Sequence, residues 1–307
     1  MKITVIGASG NVGSCAAFNI AARRLADEMV LIDTPRPDWV TLHALDINTA
    51  VTGQDMLVRT GDYADMVDSD IVIMAAGSAK TFLSRMAVLP ENLPLIREIG
   101  GNVKQLCPGA LVIMATNPVD PLNYAMYLAS GLDRRQLIGY SYNDSIRFRM
   151  RLAQALGVPS SRVEGSVIGE HGDSQVLLFS SARLDGKPVS FTRDMKRKML
   201  QQVPDGQKVL GELRETTGRT AAWTTAVGLA AVCRAIVQDT GEMFPCSVVL
   251  DGEYGCNNIS MSVPTILGKS GVKKILEWQL ASDERKLLNQ SIEVLKPAMK
   301  YVEELLH

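Results

Sequence analysis

An apolar β-type run, Ile3–Ile6, stops at Gly7 and passes through Ala8-Ser9-Gly10-Asn11-Val12-Gly13 directly into an alanine-rich helical pattern. A strand that turns on glycines into a helix leaves few architectures open, because the strand must lie in a sheet that the helix then covers. Glycine allows both the tight turn and a close backbone approach to a ligand, and the helix start offers unpaired N–H groups with partial positive charge. The spacing G-x-x-G-x-x-G is a variant of the G-x-G-x-x-G found in dinucleotide-binding loops. Twenty residues after Gly13, at the end of the next apolar strand, Asp33 places a carboxylate where ribose hydroxyls would be accepted. Gly7, Gly10, Asn11, Val12, Gly13 and Asp33 are therefore candidate dinucleotide contacts. A carboxylate at that point repels a 2′-phosphate, which points to NAD over NADP; Arg36 is the nearby cation able to offset that repulsion.

The same rhythm continues along the first half. Candidate strands Ile3–Ile6, Met29–Asp33, Met56–Arg59, Asp70–Ala75, Ala110–Ala115 and Gln136–Gly139 alternate with helical patterns near 11–26, 38–48, 86–106 and 120–130. Several strands are unbroken apolar runs, as expected where helices cover both faces of a parallel sheet. Pro90 and Pro94 each remove a backbone donor, so the helix near 86–106 is expected to kink or to start late. Past about residue 140 the alternation gives way to a helix near 143–156, β runs at Val163–Ile168 and Gln175–Ser180, and a hairpin-like Leu184–Pro188. Helices near 192–216 and 219–238, strands Ser247–Leu250 and Asn258–Val263, and a charged helix near 282–306 complete it. The expected fold class is α/β: a Rossmann-type doubly wound parallel sheet in residues 1–140, with an α+β substrate domain in residues 141–307. No internal repeat or low-complexity linker separates the two, so they are expected to pack intimately.

Composition narrows the function classes. The 307 residues carry 32 basic and 33 acidic side chains, a net charge of −1, with no like-charged block to attract nucleic acid or a membrane surface. The most apolar stretch, Ala221–Cys233, is shorter than the ~20 residues of a spanning helix. Five scattered cysteines form no C-x-x-C pair, no metal-ligand spacing is present, and the N-terminal residues lack a signal-peptide pattern. A cytoplasmic protein with free thiols and no bound metal is expected.

Only three histidines are present. His307 is terminal, and His43 falls in a helix of the cofactor half with no evident partner. His171 lies between glycines in Gly169-Glu170-His171-Gly172-Asp173-Ser174, just past a β run, where the backbone can bend on both sides of a titratable ring. Taken alone it is better explained as a structural hydrogen-bonder. Asp144 and Arg147 stand three apart on a predicted helix, hence on one face, where a carboxylate could meet an imidazole and a guanidinium could grip a carboxylate by two bonds. Thr116-Asn117-Pro118-Val119-Asp120 follows a buried strand at its carboxyl end, where open α/β sheets bind ligands.

The glycine loop, the strand-end Asp33, Thr116–Asp120, Asn143-Asp144-Ser145-Ile146-Arg147-Phe148 and Gly169–Ser174, in this order and at these separations, resemble the lactate/malate dehydrogenase family over nearly the whole chain. Gly169–Ser174 and Thr116–Asp120 together are far more specific than the glycines. The resemblance implies NAD-dependent hydride transfer on a small 2-hydroxy acid by a homodimer or homotetramer. It places His171 on the proton-relay histidine, Asp144 on its orienting carboxylate and Arg147 on the arginine that binds the substrate carboxylate. Arg85 matches the loop arginine that polarises the carbonyl, Asn117 the residue between nicotinamide and substrate, and Thr220 a substrate-pocket hydroxyl. Ala76, Gly77 and Asn92 fall among the cofactor contacts.

The segment Gly77–Arg85 departs from the family pattern: Thr81-Phe82-Leu83 stands where Pro-Gly is usual. Lys80 is placed to pair with a second substrate carboxylate, whereas Phe82-Leu83 suits an apolar pocket. Malate/oxaloacetate is expected ahead of lactate/pyruvate, with another 2-hydroxy acid third. Tyr140-Ser141-Tyr142, bulkier than in relatives, is expected to reshape the pocket. A short-chain dehydrogenase is disfavoured because none of the seven tyrosines has a lysine four residues on. A catalytically inactive dinucleotide-sensing protein is the competing reading from another class.

Overall fold

In the first half, six short apolar runs become parallel strands, because each is flanked by a helix long enough to return the chain to the same end of the sheet. The computed structural model describes residues 1–33, 35–78, 85–217 and 221–306, without the side chains of 85, 203–208, 210, 211, 214 and 215. Strands β1 (Lys2–Ile6), β2 (Glu28–Ile32), β3 (Leu57–Thr60), β4 (Ile71–Met74), β5 (Leu111–Met114) and β6 (Leu137–Gly139) stand in the order β3-β2-β1-β4-β5-β6. Every residue of β4 and β5 is buried, as the unbroken apolar runs require of strands covered on both sides. Helices α1 (Asn11–Ala22), α2 (Pro37–Ala50), α3 (Leu89–Leu106) and α4 (Val119–Ser130) make four of the five crossovers, and the 3₁₀ turn Tyr63–Met66 lies in the connection from β3 to β4. The chain reverses its direction of travel at β1, which has β2 on one side and β4 on the other. That switch point is where a doubly wound sheet opens a crevice.

The helix expected near 86–106 starts late, at Leu89. A 3₁₀ turn, Arg85–Val88, precedes α3, and Pro90 falls in the first helical turn, where its missing N–H costs nothing; Pro94 lies inside the helix.

The second half differs from the sequence expectation in an instructive way. After α5 (Tyr142–Leu156) the run Val163–Ile168 is split by Gly165-Ser166 into β7 (Val163–Glu164) and β8 (Val167–Ile168), which belong to different small sheets. β8 pairs with β9 (Val176–Leu177), and β7 pairs with β10 (Arg183–Leu184). β10 forms the expected hairpin with β11 (Lys187–Pro188), turning on Asp185 and Gly186, both at positive φ. α6 (Arg193–Thr217) and α7 (Trp223–Val237) follow.

The strands expected at 247–250 and 258–263 are longer, as β12 (Met243–Asp251) and β13 (Asn257–Gly268), and β14 (Gly271–Ile275) had no expectation at all. Pro245 and Pro264, strand breakers in isolation, sit opposite each other inside the ladder, and Lys273-Lys274 disguises β14 as a loop. These three antiparallel strands extend the parallel sheet, β12 meeting β6 at Ser247 and Gly139, to give nine strands in one sheet. Helix α8 (Ser282–Leu306) packs on α4, and one apolar core runs from Ile3 to Val302 through both halves. A second, smaller core around Phe148, Leu152, Val167 and Phe179 supports α5.

Candidate active site

The carboxyl ends of β1, β2, β4 and β5 present four segments that meet at the switch point. Gly7 has φ +85°, and a Cβ there would fall on the backbone of Ala75-Ala76. A Cβ at Gly13 would fall on the Gly7 carbonyl, so the turn closes only with glycine at both positions. Gly10 precedes α1 without a side chain to cap it, and no acidic residue occupies the first turn of α1. Asn11, Val12 and Gly13 form that first turn.

Asp33 follows β2 as expected. Its Oδ2 accepts both the Ser9 N–H at 3.1 Å and the Ser9 hydroxyl at 2.6 Å, which fixes the carboxylate beside the glycine loop. His43 is not without a partner: its Nδ1 lies 3.2 Å from the Ala8 carbonyl of the same loop. The Arg36 side chain is exposed, and its backbone N–H donates to the Asp33 carbonyl at 3.1 Å.

Ala76 and Gly77 continue from β4. The Thr116 hydroxyl donates to the Ala76 carbonyl at 2.6 Å, tying this segment to the end of β5. Asn92 is 3 % exposed, and its amide clasps the same two segments: Oδ1 accepts from Ser78 N at 2.7 Å while Nδ2 donates to the Asn117 carbonyl at 2.9 Å. Its observed partners are thus the two loops, while the Asn117 side chain is exposed at the crevice.

Across the crevice, α5 and the loop between β8 and β9 bring the sequence-predicted triad together. His171 Nδ1 lies 2.6 Å from Asp144 Oδ2, with both groups buried. Arg147 Nη1 donates to the other oxygen, Asp144 Oδ1, at 3.3 Å. Nη2 and Nε of Arg147 make no hydrogen bond among the described residues, and its side chain is 27 % exposed, so a planar pair of donors remains for a carboxylate. Asp144 therefore holds an imidazole and a guanidinium from one position.

The His171 loop is held at three consecutive residues. Gly169 exchanges backbone bonds with Ser262 of β13 at 2.8 and 2.9 Å, Glu170 N donates to Ser291 Oγ of α8 at 2.7 Å, and His171 N donates to Asp120 Oδ2 at 2.7 Å. Burial pushes the Asp120 carboxyl up to about 7, helped by the charges of Glu170 and Asp144; the Ser247 hydroxyl and the His171 N–H temper the rise. Asp120 Oδ1 is buried without a hydrogen-bond partner among the described residues. Asp120 ended a motif legible in sequence, yet nothing in spacing says that its carboxyl crosses to a loop 51 residues away.

The aromatic residues at 140 and 142 are engaged elsewhere. Tyr140 is 2 % exposed, packs over Gly228 of α7 and donates to Asn143 Oδ1 at 2.7 Å; Asn143 Nδ2 in turn donates to Thr225 Oγ1 at 2.7 Å. Tyr142 packs edge-on against Phe244 and receives a bond from Arg149 at 2.7 Å. Their bulk is absorbed into the seam between α5, α7 and β12. Lys80, Thr81, Phe82, Leu83, Thr220 and His307 lie outside the described residues, as does the side chain of Arg85. Among the described residues no helix is long and apolar enough to cross a membrane, and no group of three His, Cys, Asp or Glu could hold a metal.

Comparison with known proteins matches residues 1–139 to the lactate/malate dehydrogenase NAD-binding domain and residues 143–306 to the lactate/malate dehydrogenase alpha/beta C-terminal domain. The chain is 37 % identical over 298 residues to malate dehydrogenase of Halobacterium salinarum, covering 96 % of this chain and 97 % of that protein. It is 36 % identical over 311 residues to malate dehydrogenase of Geobacillus thermodenitrificans, covering 98 % of each. Among solved structures, Cryptosporidium parvum malate dehydrogenase superposes with a TM-score of 0.91 at 29 % identity, covering 99 % of each chain. The lactate dehydrogenase of that organism, complexed with lactic acid and nicotinamide adenine dinucleotide, gives 0.90 at 32 % identity over 98 % of each.

Proposed function

The chain belongs to the lactate/malate dehydrogenase family and is an NAD-dependent oxidoreductase; on that premise we propose that it interconverts malate and oxaloacetate, with His171 as the proton carrier. The observation that carries this reading is the Asp144 carboxylate shared by His171 at 2.6 Å and Arg147 at 3.3 Å. The preference for malate over lactate is supported by the names of the similar proteins and by Lys80, a cation in the stretch Gly77–Arg85, to which the family resemblance assigns substrate discrimination.

The residues of the crevice fit the dinucleotide: Gly7 and Gly13 have no space for a Cβ, and Asp33 is held beside the loop by Ser9. Gly7, Gly10, Asn11, Val12, Gly13 and Asp33 hold it, with Ala76, Gly77, Asn117 and, through the loops it clasps, Asn92. Bound NAD supplies the hydride acceptor, and in its reduced form the donor. The hydroxy acid carboxylate pairs with the open donors of Arg147, which orients the reacting carbon. During oxidation the hydroxyl proton passes to the ring nitrogen of His171 that does not face Asp144; during reduction the same nitrogen returns it. Asp144 fixes the tautomer and balances the charge of the imidazolium. Arg85 stabilises charge on the reacting oxygen, and Thr220 contributes a pocket hydroxyl.

Residues 1–140 serve the cofactor and 141–307 the substrate. A homo-oligomer is supported by large apolar side chains left exposed on neighbouring helices, among them Phe18 on α1, Trp39 and Leu42 on α2, and Trp223 on α7 at 72 % exposure. Five free thiols, four of them buried, suit a reducing cytoplasm.

Steady-state oxidation of NADH against a panel of 2-oxo acids tests the substrate assignment. Oxaloacetate is expected to give the highest kcat/KM. A preference for pyruvate transfers the assignment to lactate, and NADH binding without turnover of any acid favours the sensor.

A further inference from the structure

The loop carrying His171 and the segment carrying Asn117 come from different halves of the chain, yet one carboxyl spans them. Asp120 stands in the first turn of α4, three residues beyond Asn117, is 2 % exposed, and accepts the His171 N–H at 2.7 Å. We propose that Asp120 is a positioning residue for the dehydrogenase reaction: a strut that fixes the His171 ring relative to Asn117, and so relative to the cofactor side of the crevice. The proposal rests on the reading of His171 as the proton carrier.

Three features separate this from ordinary helix capping. An acidic residue in the first turn normally serves its own helix, through the free N–H groups and the dipole. The Asp120 carboxyl instead makes its bond to a loop 51 residues away, and α4 begins at Pro118 with no side-chain cap bond. The other anchors of the loop, Ser262 and Ser291, belong to β13 and α8 in the second half, so Asp120 is the described side chain that ties it to the first. Finally, the arrangement is costly: the carboxyl is buried, its Oδ1 lacks a hydrogen-bond partner among the described residues, and burial lifts its pKa to about 7. A costly buried group that contacts a reacting residue directly is expected where function demands its geometry.

The consequence is geometric. His171 is held at Nδ1 by Asp144 and at its backbone N–H by Asp120, at 2.6 and 2.7 Å, so ring direction and loop position are set separately. Removing the second hold leaves the ring oriented on Asp144 but lets the loop drift from Asn117. Misplacement of a proton carrier by about 1 Å costs on the order of a hundredfold in rate.

The test uses the full chain with Asp120→Ala and Asp120→Asn. Folding is followed by circular dichroism, NADH affinity by fluorescence, and turnover with the best 2-oxo acid of the panel. Asp120→Ala is expected to lower kcat by about a hundredfold while the Kd of NADH and the KM of the acid stay within about threefold. Asp120→Asn, whose amide oxygen accepts the same N–H, is expected to restore most of that loss. Wild-type kcat in Asp120→Ala, a loss confined to KM, or equal losses in both variants overturns the proposal. Should Asp120→Ala not fold, Asp120→Glu keeps the acid and lengthens the strut; a kcat loss of about tenfold or more with unchanged NADH binding is expected, and an unchanged kcat overturns the idea. His171→Asn run alongside separates the two levels: turnover surviving there removes the proton-carrier reading itself, whereas turnover lost there but kept in Asp120→Ala removes the strut alone.

Discussion

The Asp120 carboxyl makes the stability of the protein depend on pH in a direction opposite to that of most carboxylates. Its pKa rises from an ordinary 3.8 to about 7, chiefly through burial. The folded state therefore binds the proton more tightly than the unfolded chain does. The stabilisation is fully present below pH 3.8 and is lost as pH rises through 7. A rise of about three in pKa, at about 1.4 kcal/mol for each, amounts to about 4 kcal/mol, a large share of the ~5–15 kcal/mol by which folded proteins are stable. Asp120→Asn keeps the shape and the acceptor for His171 N–H but never ionises. Urea unfolding of both proteins at fixed concentration, repeated from pH 5 to pH 8, isolates this group because the remaining titrations cancel in the difference. The advantage of Asp120→Asn over wild type is expected to grow by about 3 kcal/mol across that range. A difference independent of pH would falsify the claim that Asp120 is buried with its proton, because a carboxyl held at or below its ordinary value of 3.8 is already ionised by pH 5.

Other expectations follow from the same geometry. His171→Asn should retain NADH binding and lose several orders of magnitude in kcat; measurable residual turnover comparable to wild type removes it as proton carrier. Gly13→Ala puts a Cβ onto the Gly7 carbonyl, so NADH affinity measured by fluorescence titration should collapse while secondary structure persists. With NADPH replacing NADH, kcat/KM should fall by at least about tenfold because Asp33 repels the 2′-phosphate; a preference for NADPH would assign that role to Arg36 instead. Trp39→Lys together with Trp223→Lys should lower the mass seen by light scattering if the exposed helix faces join copies of the chain, and an unchanged mass relocates the interface.

Much of this was legible because the first half obeys local rules. An apolar run covered on both faces, a glycine turn and a strand-end acid each have a cause within a few residues, so β1, β4, β5, the loop at Gly7–Gly13 and Asp33 could be read directly. The pairing of Asp144 with His171 was legible at one remove, from helix spacing and family pattern. What could not be read depends on long-range contacts. β12 and β13 extend past Pro245 and Pro264 because the two prolines face each other, which no local propensity encodes. Val163–Ile168 divides because its two ends find different partners, β10 and β9. The amide of Asn92, expected among the cofactor contacts, also joins Ser78 to Asn117, a link that spacing does not encode. Tyr140, an apparent pocket residue, has its hydroxyl committed to Asn143 and its ring to the seam with α7.

The single sheet that runs through both halves also decides how the protein can be taken apart. β12 joins β6 at Ser247 and Gly139, while α4, from the first half, is covered by β12, β13 and α8 from the second. A chain severed near residue 140 would leave a bare strand edge on each fragment and an uncovered apolar helix on the first, the ingredients of edge-to-edge aggregation. The two halves share one sheet and one core, so neither is a portable module to be transplanted into another chain.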